Sequence, residues 1–195
     1  MKKIKVAIIG SGGHAKSCID VIENIKTIKI IGIIDNKKKA GIGKYKVICD
    51  DKNILKIKNF TNNLVLGVGG LNDPSLRQKI YKKFKNLGFK FPALISNHSL
   101  VSKNAKIGEG TLVFNHVYIN SGVVIGQNCI INNKCLIEHD TIVGDHSHIS
   151  TGAIINGNCS IGSGSFIGSG SIILNNIKLK DNSFVKMGTI QKKNI

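Results

Sequence analysis

Residues 101 to 190, cut into sixes, read VSKNAK, IGEGTL, VFNHVY, INSGVV, IGQNCI, INNKCL, IEHDTI, VGDHSH, ISTGAI, INGNCS, IGSGSF, IGSGSI, ILNNIK, LKDNSF, VKMGTI. All fifteen leading positions are Val, Ile or Leu, and the fifth is Ala, Thr, Ser, Cys or Val everywhere except Ile177. A helical period of 3.6 loses phase with six over so long a stretch, and simple strand alternation does not call for an aliphatic at every sixth place only. What remains is a three-sided coil of short strands in which each hexad supplies one side and one corner. The leading aliphatic points into the prism and the small fifth residue fits near the corner. Fifteen hexads make five coils of eighteen residues, stacked at roughly the 4.8 Å spacing of paired strands. Val101, Ile119, Ile137, Ile155 and Ile173 then form one internal ladder. Gly and Asn recur at the second to fourth places, where sharp corners call for positive φ.

Ahead of the coil the pattern changes. Residues 3 to 9, KIKVAII, read as a buried parallel strand entering the turn GSGG at 10 to 13, followed by a helix from about His14 to Ile25. IKIIGIID is a second strand ending at Asp35, and LVLGVGG at 64 to 70 a third closed by glycines. Asp73 and Pro74 have the form of a helix start, a carboxylate cap followed by proline at the first helical position. That helix, roughly 74 to 87, is expected to turn Leu76, Ile80, Tyr81 and Phe84 toward the core. The order βαβ…βα implies a small parallel sheet with ligand sites at the carboxyl ends of its strands. The fold class is therefore mixed α/β plus all-β. Residues 1–95 are expected to form a small Rossmann-like βαβ domain suited to a nucleotide, and residues 96–195 the parallel β-helix. Gly10, Gly12 and Ala15 fit G-x-G-x-x-A, with Asp35 near the distance of a ribose-binding acid. A nicotinamide cofactor fits poorly, because some 90 residues give one mononucleotide-sized half where a dinucleotide fold needs two. Glycines serving only a tight turn are the plain alternative.

Composition narrows the partners. The formal charge is +17. Residues 1 to 100 carry 20 basic and 6 acidic side chains, and residues 101 to 195 carry 8 and 5, so the charge belongs mainly to the first domain. Lysines scattered among Ile and Asn, without interleaved aromatics, do not make a nucleic-acid surface. Attraction of an anionic small substrate suits them better. The apolar start breaks at Gly10, and no stretch approaches 20 apolar residues, so neither a signal segment nor membrane insertion is expected and the location reads as cytoplasmic. Five cysteines lack metal-ligand spacing, and Cys129, Cys135 and Cys159 share the small fifth place of the hexad. Neither disulfides nor zinc is indicated.

Inward positions of the coil are occupied by packing, so reactive groups must point outward. His139, third in IEHDTI and followed by Asp140, is the best candidate for a general base, because the carboxylate fixes the tautomer and favours the imidazolium formed on proton uptake. On the plain reading any histidine on a coil face, His139 as well as His116, His146 and His148, is a solvated or interface residue. Three-histidine zinc is disfavoured, since the nine residues between His139 and His148 put them on successive sides.

Four segments, GSGGHAK at 10 to 16, IID at 33 to 35, LGVGG at 66 to 70 and IEHDTIVGDHSHISTGAIINGN at 137 to 158, resemble the PglD and NeuD type of bacterial hexapeptide-repeat sugar acetyltransferases. The resemblance spans the whole chain and implies that the coil is a left-handed parallel β-helix. It implies His139 with Asp140 as the catalytic base pair and His148 as an acetyl-CoA contact, with Gly157, Ser169, Met187 and Gly188 along the acetyl-CoA channel. Gly12, Gly13, His14 and Asp35, with Gly67, Gly69 and Gly70, would line a nucleotide-sugar pocket. It further implies a homotrimer with active sites between neighbouring prisms, acetyl-CoA as co-substrate and no metal. There are two departures. Asp140 stands where the family commonly has Glu, and QKKNI follows the coil where relatives often carry G-V-P-A-K/R.

The expected activity is direct N-acetylation of a UDP-linked amino sugar for a surface glycan. O-acetylation of a sialic acid or related nonulosonate, and a non-catalytic sugar-nucleotide scaffold, are the alternatives.

Overall fold

In the computed structural model, which describes residues 3–36, 41–70 and 74–195, the chain forms two compact units, Met1–Pro92 and Ala93–Ile195. The expected cap at Asp73 lies outside the described residues.

The first unit is built on a parallel sheet of β1 (Ile4–Ile9), β2 (Ile28–Ile34), β3 (Val47–Cys49) and β4 (Leu64–Leu66) in the order β3-β2-β1-β4. Helix α1 (Gly13–Glu23) links β1 to β2, and α2 (Pro74–Asn86) follows β4. Strand alternation sends Ala7 and Ile9 to one face, where they pack with Ile54, Ile57, Tyr81 and Phe84. The other face meets α1, whose Ala15, Cys18, Ile19 and Ile22 are buried. The strand order reverses between β1 and β4, and at such a switch point an open α/β sheet leaves a crevice at its carboxyl edge.

Two parts of this unit differ from the expectation. Between Asp35 and Leu64 the chain adds β3 and a 3-10 helix, Asp51–Asn59, capped by Asp50, whose carboxylate accepts from the Asn53 amide at 2.9 Å. On α2 the inward residue of the first turn is Arg77, 4% exposed, while Leu76 is 44% exposed. Arg77 fits because its guanidinium donates to Leu66 O and Val68 O, both at 2.8 Å, satisfying carbonyls where β4 ends.

The second unit is a left-handed parallel β-helix of two-residue strands forming three sheets of five, six and six strands. Vertical partners stand eighteen apart, as in Val124↔Ile142 and Ile137↔Ile155. The winding begins one hexad before the sequence reading, because Leu94–Ile95 pairs with Leu112–Val113. The leading aliphatics from Val113 to Val185 are buried in one continuous core with Cys129, Cys135 and Cys159.

The corner rule is sharper than expected. Every fourth position from Gly110 to Gly188 has positive φ, including His116, Asn128, Lys134, Asp140, His146, Asn158, Asn176 and Asn182. Left-handed backbone favours Gly and Asn and tolerates Asp and His, which explains their concentration there. On one corner the second-place glycines have a separate reason. A Cβ at Gly108 would meet the backbone of Gly126 at 2.5 Å, and one at Gly162 would meet Lys180 and Asp181 backbone.

Candidate functional site

His139 stands at the third place of a corner, immediately after the buried Ile137 has anchored the strand. Its Nδ1 lies 2.9 Å from Asp140 Oδ2, and both side chains are more than half exposed. Asp140 reaches back to its neighbour because its backbone is left-handed, at φ 59. With Nδ1 engaged by the carboxylate, Nε2 is the nitrogen left to take a proton from an incoming nucleophile.

Two glycines make room for this pair. Gly157 is one coil above His139, and a Cβ there would stand 2.6 Å from His139 Nε2 and 2.7 Å from Cε1. Gly122 is one coil below Asp140, and a Cβ there would run into Asp140 Oδ1. The imidazole therefore lies flat against the backbone of the next turn. Next to the pair, Asn120 Nδ2 donates to Glu138 Oε2 at 2.6 Å, tying the second place of the same hexad to the coil below.

The other expected acetyl-CoA contacts fall elsewhere on the prism. Ser169 shares a hydrogen bond of 2.9 Å with Ser150, and Met187 and Gly188 sit one coil above on that same corner. Met187 is 78% exposed. His148 lies on an adjacent face, edge-on to Phe166 at 5.1 Å, and Phe166 stacks on Phe184 at 5.2 Å. Between the Ser169 corner and the His139 corner runs an outward column of Leu100, Tyr118, Leu136, Ile154, Ile172 and Ile190, all at least partly exposed. One chain thus groups His139, Asp140 and Gly157, and separates them from Ser169, Met187 and Gly188 by a full apolar face.

In the first unit the expected substrate residues converge on the carboxyl ends of β1, β2 and β4. Asp35 follows β2 and accepts from Ser11 Oγ at 2.5 Å, which fixes the carboxylate beside the glycine turn. Among the described residues a Cβ at Gly12 or Gly13 would meet no atom within 4 Å beyond its own chain neighbours and helix, so these two residues at the start of α1 leave room there. Backbone amides at such a helix start suit phosphate oxygens. Gly67 has a different task, since a Cβ there would strike Ala15 and Ile8 and push α1 off the sheet. A Cβ at Gly69 would lie 3.7 Å from His14, and Gly70 is the last described residue of this segment. Arg77, which sequence reasoning missed, holds this turn through Leu66 O and Val68 O.

Among the described residues no group of three or more His, Cys, Asp or Glu could hold a metal ion, and no helix is long and apolar enough to cross a membrane. The five cysteines are free, and burial pushes the Cys18 and Cys135 thiols up to about 12.

Residues 5–84 match the family model of the PglD N-terminal domain, and residues 95–195 that of the GMPPB C-terminal domain. No curated protein matches the chain significantly. Among solved structures, the acetyltransferase domain of PglB from Neisseria gonorrhoeae is 28% identical with a TM-score of 0.88, covering 98% of this chain and 92% of that one. PerB from Caulobacter crescentus, in complex with CoA and GDP-perosamine, is 28% identical with a TM-score of 0.91, covering 98% and 90%. WeeI from Acinetobacter baumannii shares the fold at 19% identity and a TM-score of 0.74, covering 97% of each chain.

Proposed function

Because the chain belongs to the PglD-type hexapeptide-repeat sugar acetyltransferases, with a PglD N-terminal domain ahead of a GMPPB C-terminal-type coil, we propose that it transfers acetyl from acetyl-CoA to the amine of a nucleotide-linked amino sugar. The observation that carries this reading is the His139–Asp140 pair, with Nδ1 engaged at 2.9 Å and Nε2 facing outward over Gly157.

The reaction follows from that geometry. The neutral amine attacks the thioester carbonyl carbon, and His139 Nε2 takes the proton that the nitrogen sheds as the C–N bond forms. Asp140 steadies the imidazolium. As the carbon–sulfur bond breaks, the imidazolium returns its proton to the departing sulfur, leaving an amide, free CoA thiol and neutral His139. Backbone N–H groups of the coil are suited to the developing oxyanion. No covalent acyl-enzyme is needed, in keeping with cysteines that point into the prism.

Two further parts belong to the proposal. The first unit holds the nucleotide at the Gly12–Gly13 opening, with Asp35 and the Gly67–Gly70 turn beside it. UDP is the nucleotide first expected, whereas PerB was captured with a GDP-sugar, so both belong in the test. The working form is a homotrimer. Its apolar column from Leu100 to Ile190 packs on a second copy, so that His139 of one chain serves acetyl-CoA held on the Ser169 and Met187 corner of the next. What supports this is the separation of the two groups within one chain.

The test is thiol release from acetyl-CoA with a panel of UDP- and GDP-linked amino sugars, their hydroxyl counterparts and sialic acid. Release that requires an amine is expected, and His139→Ala should lower turnover about 100-fold or more. Release only with hydroxyl acceptors, or a folded His139→Ala variant of near-native activity, would defeat the proposal.

A further inference from the structure

At the amino-terminal edge of the first unit's sheet, away from the glycine turns, lies a basin of about 660 Å³ lined by Lys3, Lys5, Lys29, Lys90, Phe60 and the Thr61–Asn63 turn. Lys5 and Lys29 are register partners on adjacent parallel strands, so two ammonium groups are set side by side. Like charges so placed repel and lower stability. None of the four lysines is in an ion pair among the described residues, and no carboxylate lines the basin. Such a cluster is relieved by an external anion.

A second cavity of about 630 Å³ shares Lys5 and Phe60 with the first and continues into an apolar trough of Ile31, Ile48, Cys49 and Ile57, with Lys56 at its rim. Phe60 is 64% exposed and Ile48 44%. Phe60 is held in place from below, where Thr61 Oγ1 donates to Lys5 O at 2.6 Å and Asn63 Nδ2 to the same carbonyl at 3.2 Å. Among the described residues Asp50 is the one carboxylate lining the trough, and it is engaged by the Asn53 amide and side chain.

We infer that this edge is a docking surface for an anionic lipid bilayer, with the lysines meeting headgroup phosphates and Phe60 and Ile48 entering the interface. An aromatic anchor ringed by lysines is the arrangement that interfacial binding uses. A second copy of the chain would bring like charge against like charge, since residues 1 to 100 carry 20 basic and 6 acidic side chains. Nucleic acid would need several stacking platforms, and among the described residues Phe60 is the single aromatic lining either cavity. Docking here leaves the opposite, carboxyl edge of the sheet free for nucleotide. This inference does not depend on which sugar is acetylated.

The experiment is co-sedimentation of the intact protein with vesicles of phosphatidylcholine alone or with about a third phosphatidylglycerol, at low and high salt. Binding is expected only to the anionic vesicles and should fade at high salt as the charges are screened. Each lysine removed should weaken partition about five-fold. K5Q/K29Q together should therefore cost about 25-fold, whereas the equally charged control K79Q/K82Q, at two exposed positions of α2, should cost far less. Phe60→Ser should weaken binding while leaving acetyl transfer measured without vesicles unchanged, which also reports that the variant is folded. Equal losses in the two double variants, no preference for anionic vesicles, or tighter binding to a single-stranded oligonucleotide than to the vesicles would each overturn the inference.

Discussion

Gly157→Ala isolates the geometry of the proposed base. The added Cβ would stand 2.6 Å from His139 Nε2, whereas ordinary carbon contacts begin near 3.4 Å, so the ring must withdraw by roughly 1 Å or turn away from Asp140. A displacement of that size at a reacting atom costs on the order of 100-fold, or about 2.7 kcal/mol of transition-state stabilisation. Stability should not fall, because Gly157 is outside the left-handed backbone region and replacing such a glycine by alanine commonly adds about 0.4 to 1 kcal/mol. The assay is steady-state acetyl transfer at saturating sugar nucleotide, paired with thermal unfolding. A fall in kcat with unchanged or raised Tm is expected. In a His139→Ala background the same substitution should have almost no further effect on kcat, since it acts through the missing ring. A rise in KM for acetyl-CoA with kcat intact would assign Gly157 to the acetyl-CoA channel instead. A kcat within three-fold of the native value would refute the steric reasoning outright.

Asp140→Asn keeps a residue that tolerates left-handed backbone, so the coil should melt as before while kcat drops on the order of 10-fold or more through loss of the carboxylate that orients the imidazole. Unchanged kcat would show that the acid is decorative. Arg77→Leu leaves the Leu66 and Val68 carbonyls without their donor and should destabilise the first unit by about 2 to 4 kcal/mol in urea titration. Its KM for sugar nucleotide should rise more than that for acetyl-CoA, and equal stability would refute the anchoring role. Burial raises the Cys18 and Cys135 thiols to about 12, so the folded state keeps protons that the unfolded chain loses near its ordinary value of 9. Their contribution is fully present below pH 9 and is lost as pH climbs toward 12. Both thiols should resist a thiol reagent at pH 8 until denaturant is added, and rapid labelling of the native protein would contradict their burial.

The coil was legible in the sequence because its code is local: one aliphatic in six, with no insertion, can satisfy only a three-sided winding. The His139–Asp140 pair was legible for the same reason, being adjacent in the chain. Gly157 and Gly122 were different. Their effect on that pair is exerted across eighteen residues, and a glycine among many declares nothing until the vertical register is drawn. On α2 the helical period marked Leu76 as inward, whereas the buried residue of that turn is Arg77. Periodicity ranks residues by apolarity and does not see that two carbonyls at the end of β4 need a donor. The stretch from Val47 to Asn59 escaped because β3 has three residues and the 3-10 helix has Lys at three of its nine positions, too little pattern for either period to emerge.

Vertical neighbours eighteen residues apart make length in this half of the chain quantised. Deleting one residue between His139 and Gly157 would rotate a different side chain over the imidazole and turn the later aliphatics out of register, so a single-residue deletion there is expected to abolish activity. Duplicating or removing a whole turn beyond the site restores the count. Evolution can thus lengthen or shorten the column in single complete windings while the chemistry below stays in place.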